Sequence, residues 1–355
     1  MSDENIPPQV NEEHPGESSA LTRPSRKKAA PPNFWKCKGR HVGCSIHAFA
    51  NIEQLVLAGI QLDKDLALLA ANEIERYPTE IRHQYEVYGQ VLRFLPQLEE
   101  GLSKETISNT QLNVICAHGA GAGHSDDVKG LKVAILGWIT DPERGLVPPI
   151  KGNQMANRGF NHEATGKELC PAGLDWNDPS IKSALKAGTM VIPSDQWPIF
   201  MYLNGDYDPE RPWAGLLRGH LLVKAFKHIF TSPSSVDDSG RSTKSSNAAI
   251  HGTTHVTLAS ITYVATLVRF SLGSRGKFSR TNTVTDSQNF YNVILAFLTH
   301  PEERENANEL LAWWNGQVFP HAVALYHAPT AHSALAKLME ARKKRAALRA
   351  ISQPY

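Results

Sequence analysis

The sequence predicts a mainly α fold: a helix-rich globular domain with a small β element, preceded by a helical arm and a disordered N-terminal tail. Three observations predict it. Apolar side chains recur at i, i+3, i+4 and i+7 through most of the chain, which is the spacing of one helical face. Two of these stripes, LLRGHLLVKAFKHIF and TLASITYVATLVRF, are broad enough to centre a core and flank the polar segment TSPSSVDDSGRSTKSSNAAIHGTTHV. Strand signal, by contrast, is confined to the short runs TMVIP and WPIFMYL.

Composition bounds the rest. At 355 residues there is room for one large domain or two small ones. Apolar residues make up 41%, enough for a core although both ends are polar. A net charge of +2 supplies no global field that selects nucleic acid or an anionic membrane, so any basic partner surface must be local. Cys37, Cys44, Cys116 and Cys170 are too few and too scattered for a disulfide framework, and a reducing compartment is expected. The opening MSDENIPPQVNEEHPGESS has no apolar secretory core, and runs such as VAILGWI fall far short of the ~20 residues of a membrane span. The chain is therefore expected to be soluble and intracellular, with no membrane partner.

In chain order, residues 1–43 are the expected tail: the part to about residue 33 is rich in Pro, Glu, Ser and Asn, and a loop leads from it into the first helix. Residues 44–123 form the arm. Ile52, Leu55, Val56 and Gly59 make one stripe; Leu62, Leu66, Leu69 and Ile74 a second; Tyr85, Tyr88, Leu92 and Leu95 a third; Leu112 and Ile115 begin a fourth. Pro78 and Pro96 punctuate them. Tyr85, Tyr88 and Phe94 read as packing rather than as a base-stacking platform. Residues 124–322 are the helix-rich domain. Ser125 or Asp126 is expected to cap a helix over 127–139. The turn-dense stretch 141–178 is anchored by Phe160, Leu169, Leu174 and Trp176. Asp178, Pro179 and Gly188 are N-cap, first helical residue and C-terminal stop of a short helix. Leu217, Leu221, Leu222, Ala225, Phe226 and Ile229 form the face of the first central helix. Thr257 caps the second, and Thr285 and Pro301 open two more. Trp313 and Trp314, being adjacent, point about 100° apart. Residues 323–355 carry a basic helix, 331–350, ending in RKKR.

Four motifs bear on chemistry. Cys37, His41, Cys44 and His47 offer four metal-ligand types in one span, but their spacing matches no compact zinc pattern, and a loop entering a helix is the plainer reading. Gly119, Gly121 and Gly123 suggest a dinucleotide loop; the helical period before them and the acids Asp126 and Asp127 behind them favour a flexible joint. His124-x-Asp126 has the spacing of a facial-triad iron site, which would need a second histidine such as His251 or His255, on strands rather than helices. Finally, Lys224, Lys227, His228, Ser232, Ser234, Ser235, Arg241, Lys244, Asn247 and His251 gather amines, imidazoles, hydroxyls and an amide around the 231–255 loop. Such a set suits a phosphate or nucleic-acid backbone, and suits equally a solvated loop that satisfies its own turns. No cofactor and no metal are assigned.

The phrases SDDVKGLKVAILGWI, CPAGLDWNDP, KHIFTSPSSV, NAAIHG and LAWWNGQVFP together resemble an uncharacterised, multicopy family of unknown function in basidiomycete, mushroom-forming fungi. The resemblance spans about residues 125–320 and carries no catalytic residue. It implies a fungal intracellular protein. In that family the position of His124 is commonly Arg, which implies that no iron site is built there. An association of such multicopy families with mobile elements implies the nucleus. The expected function is thus a non-enzymatic, intracellular, nuclear interaction module for protein or nucleic acid, working through the 231–255 loop and helix 331–350. The alternative is a metal-dependent enzyme, oxygenase- or hydrolase-like, using the histidines of the 228–255 region with Asp126.

Overall fold

Helix α1, Phe34–His41, opens the described part of the chain. The computed structural model describes residues 34–68, 73–104, 115, 120–236, 253–278 and 287–320, with isolated positions between 334 and 345. All of these fall within the unit Asn33–Tyr355. Residues 1–33, most of the expected tail, lie outside them. The part of that tail from Phe34 onward is corrected: α1 runs straight into a π-wound turn, Val42–Ile46, in which all five residues are buried. Val42 and Ile46 enter a hydrophobic cluster and Trp35 packs on it, so this stretch does have apolar surface to bury.

Helix α2, Ile52–Ala67, starts where Asn51 accepts from the Gln54 amide at 3.3 Å. The first two expected stripes are therefore one continuous helix through Ala67. It packs against α3, Thr79–Phe94, which is followed by α4, Pro96–Ser103. The aromatic stripe is packing, as its spacing suggested. Asp63 accepts from the hydroxyls of Tyr85 at 2.6 Å and Tyr88 at 2.9 Å, while Phe94 stacks on His41. Gly59 lies directly under Tyr88, where a Cβ would meet the ring at 2.3 Å. Gly59→Ala is accordingly expected to destabilise the fold by about 1–3 kcal/mol through overpacking, although alanine is the better helix former. A denaturation midpoint at or above that of the parent would show that the Tyr88 ring yields to the added methyl.

Helix α5, Ala122–Ile139, begins earlier than expected. Gly121 already has helical angles, φ −64° and ψ −45°, so Gly121 and Gly123 belong to a helix rather than a loop; Gly119 lies outside the described residues. Short helices α6, Glu163–Leu169, and α7, Pro179–Ala187, follow. Trp176 donates to Glu163 at 2.8 Å and forms a small cluster with Cys170 and Leu185, against which Phe160 and Leu174 pack. The ends of α7 are those the sequence announces: Asp178 accepts from the Ser180 amide at 2.8 Å, and Gly188 stops the helix at φ 71°.

The expected small β element does not form. Among the described residues there are only isolated bridges, such as Pro171 with Pro198 and Tyr202 with Leu216, and Ile199–Met201 is a 3-10 turn. Pro193 and Pro198 remove ladder donors on either side. Phe200, Met201 and Tyr202 are all buried in succession, which a strand with one solvated face cannot do.

The two central helices are present. Helix α8, His220–Phe226, continues into a second π-wound turn, Lys227–Thr231. Leu217 is buried but precedes α8, in a left-handed conformation at φ 57°, so it is not part of the helical face assigned to it. Helix α9, Leu258–Leu272, is capped reciprocally by Thr257 and Ser260, and only Leu258 and Arg269 escape full burial. A helix apolar nearly all round must sit inside. Indeed α9 packs against α5, α8, the turn Val42–Ile46 and α10, Ser287–Thr299. Thr285 lies outside the described residues. Pro301 opens a 3-10 turn ahead of α11, Arg304–Val318. Of the tryptophan pair, Trp314 is wholly buried and Trp313 packs at the core edge. Among the described residues no helix is long and apolar enough to cross a membrane.

Candidate functional site

Helix α5 separates two environments. On its buried side Asp127 forms an ion pair with Arg40 of α1. The same carboxylate accepts from the Tyr263 hydroxyl of α9 at 2.9 Å and, more weakly, from the Cys44 thiol at 3.7 Å. Burial pushes Asp127 up to about 6, against the downward pull of Arg40, Tyr263 and Cys44. Burial likewise holds the Cys44 thiol and the Tyr263 phenol well above their ordinary values, so neither is an activated nucleophile or base at neutral pH. This network joins α1 to α5 and α9; it is a structural clamp with its charges matched.

On the solvent side, α5 forms one wall of a cleft of about 730 Å³ whose other walls are the loops 152–155 and 276–278. Lys129 and Lys132 come from α5 and Lys277 from the opposite loop, with His124 and Asn153 at the rim and Phe278 among the apolar lining. Among the described residues no aspartate or glutamate lines it. Lys132 donates to the Gly276 carbonyl at 2.8 Å and lies over the Phe270 ring, 5.0 Å from its centroid. Burial and the neighbouring charge of Arg158 pull its pKa down. Arg158 is itself fully buried, donating to Ser271 at 2.7 Å and Gly152 at 2.8 Å. Ser271 stands at the carbonyl end of α9, where the helix dipole favours a cation. The cleft thus collects positive charge on both its walls and behind them.

Of the ten residues singled out from the sequence, the six that are described lie elsewhere. Lys224 is on α8, and Lys227 and His228 are in the π turn, all half-buried. His228 packs edge-on to Trp138, and burial lowers its pKa. Ser232, Ser234 and Ser235 are occupied by their own turn: Ser235 accepts from the Ser232 amide at 3.1 Å and donates back to its carbonyl at 2.7 Å, while Ser232 and Ser234 pair at 3.0 Å. Arg241, Lys244, Asn247 and His251 lie outside the described residues. Gly130, which faces His228, is roughly a third of a turn round α5 from Lys129 and nearly half a turn from Lys132, so His228 and the cleft lysines meet different faces of the helix.

The metal-ligand candidates disperse as well. His41 pairs with Thr253 at 3.2 Å, Cys44 turns to Asp127, and His47 meets Tyr291, while Cys37 stays half-buried on α1. His124 donates to the Gly43 carbonyl at 3.1 Å, away from the exposed Asp126. His255 pairs with Thr254 at 3.1 Å. Among the described residues no three His, Cys, Asp or Glu side chains converge on a metal-sized space. The basic cleft was not singled out from the sequence. Lys129 and Lys132 share a face at i, i+3, but nothing local ties Lys277 to them.

Fold and site together define a class: a helical protein whose centre is tied by a buried arginine–aspartate pair, with a lysine-lined cleft on the opposite side of the same helix. The chain belongs to a family of unknown function (DUF6698), whose model matches residues 118–319. The lysines of the cleft fall inside that segment; Arg40 and Cys44 precede it. No curated protein and no solved structure matches the chain.

Proposed function

We propose that the chain is a non-enzymatic interaction module that contacts nucleic acid inside the cell, in the nucleus. One observation carries this reading: three lysines line a cleft whose described lining residues include no carboxylate. Cations so placed neutralise backbone phosphates and release their counterions, which gives binding without sequence preference. With a net charge of only +2, the attraction must be local, and the cleft provides such a locality. The 231–255 segment and the basic stretch 331–350 are the further contacts that the sequence leads us to expect. The clusters RPSRKK and RKKR, and the likeness to a fungal family, support the nuclear placement. The non-enzymatic reading is supported by the commitment of Asp127, Cys44 and Tyr263 to one another.

Fluorescence anisotropy with a short labelled oligonucleotide tests it. Log affinity should fall with log salt at a slope of about −2, as three neutralised phosphates require on a single strand. Replacing the exposed Lys129 and Lys277 together by glutamate should weaken binding at least about tenfold at constant thermal stability. A flat salt response, or a charge-reversed variant that binds as the parent does, would overturn the reading.

A further inference from the structure

We infer that the cleft takes single-stranded nucleic acid with one base turned in against Phe278, so that the module selects unpaired strands over duplex. This rests on the nucleic-acid reading above and narrows it. The cleft has two kinds of surface. Lys129 and Lys277 are exposed lysines, suited to phosphates; Val128, Met155 and Phe278 supply an apolar lining that a phosphate chain alone does not need.

Phe278 is half-buried and held in place by other rings. Phe270 meets it edge-on, with centroids 5.0 Å apart and planes at 84°; Phe49 lies nearly parallel to it, at 6.2 Å and 22°. A ring already fixed by two neighbours loses little freedom when a base stacks on it, so the contact retains most of its energy. Lys132 is held between the Gly276 carbonyl and Phe270 and meets a phosphate at a set position, while the two exposed lysines follow the strand on either side.

Duplex fits this arrangement poorly. Its phosphates are outermost and its base faces are covered by neighbours, so a base reaches a concave apolar surface only by leaving the stack. A single strand presents bases at far lower cost, and a basic groove with an aromatic platform is the combination that binds it without regard to sequence. The volume of about 730 Å³ lies within the range of about 300–1,000 Å³ that holds one ligand-sized group.

The experiment uses the full chain with three labelled probes: an oligothymidine strand, a duplex of equal length, and the same strand with abasic sites throughout. The intact strand should bind at least about tenfold tighter than duplex or abasic strand. Phe278→Leu keeps an apolar side chain between Phe49 and Phe270 but removes the aromatic face; it should weaken intact-strand binding roughly tenfold and leave duplex binding and salt slope unchanged. Phe278→Tyr, which keeps the face, should bind as the parent does and so separates stacking from fold damage. Equal affinity for strand and duplex, or an abasic strand that binds as well as the intact one, overturns the inference while the nucleic-acid reading stands. So does a leucine variant with parental affinity. Failure of every probe to bind at low salt overturns both.

Discussion

Trp314→Ala is expected to destabilise the fold by about 3–5 kcal/mol, among the largest losses a single truncation here can cause. The indole is wholly buried between elements far apart in sequence. It stacks at a tilt on Phe226 of α8 with centroids 5.2 Å apart, and meets Trp313 at 5.7 Å. Its Nε1 donates to the Leu217 carbonyl at 3.0 Å. Leu217 holds a left-handed backbone at φ 57° and is itself buried, so the indole satisfies a carbonyl at a strained position. Truncation opens a cavity and removes that donor together. Trp314→Phe removes the donor but leaves a much smaller cavity and should lose about 1–3 kcal/mol. Urea denaturation should show midpoints ordered parent, phenylalanine, alanine, with unchanged slopes. An alanine variant within about 1 kcal/mol of the parent would mean that α11 does not close the core as described.

The helical period made most of this core legible. The stripe Ile52, Leu55, Val56 and Gly59 is buried, α9 lies where two apolar runs required a centre, and Asp178, Gly188 and Thr257 act at the helix ends as their types announce. These are local signals, carried by spacing and by capping chemistry. What the sequence hid is non-local or geometrically subtle. A π-wound turn is a change of backbone hydrogen-bond register that carries no residue-type signature, so neither Val42–Ile46 nor Lys227–Thr231 could be read. The run TMVIP imitates a strand because Met190 and Ile192 pack on the small Trp176 cluster while Val191 faces out, and WPIFMYL because its apolar residues Phe200, Met201 and Tyr202 are buried in succession. Asp127 looked like a first-turn acid that would repel phosphate; its partner Arg40 lies 87 positions away and cancels that charge. The cleft is assembled from α5 and the loop after α9, a juxtaposition that only packing creates.

Arg40→Leu is expected to cost about 3–5 kcal/mol near pH 8, because it strands a buried carboxylate without its cation. The sign of the pH dependence follows from Asp127. Its carboxyl stands at about 6 in the folded chain against an ordinary 3.8, with burial the leading cause. The folded state therefore holds a proton that the unfolded chain releases. The resulting stability is complete below about pH 4 and is lost as the pH rises through about 6. Arg40 is among the groups that pull Asp127 down, so the leucine variant should shift that loss to higher pH and deepen it. Near pH 5, where Asp127 is protonated in either chain, the variant should recover much of its deficit. Adding Asp127→Asn to Arg40→Leu removes the stranded charge and should restore most of the stability near pH 8, whereas two independent losses would add. Urea midpoints for the parent, both single variants and the double, taken near pH 5 and near pH 8, decide it. A leucine variant equally weakened at both, or a double variant no more stable than the single, would show that Arg40 acts through packing alone. Since Arg40 precedes the family-matched segment and Asp127 lies within it, this cycle also measures how strongly α1 is bound to the family's helical core.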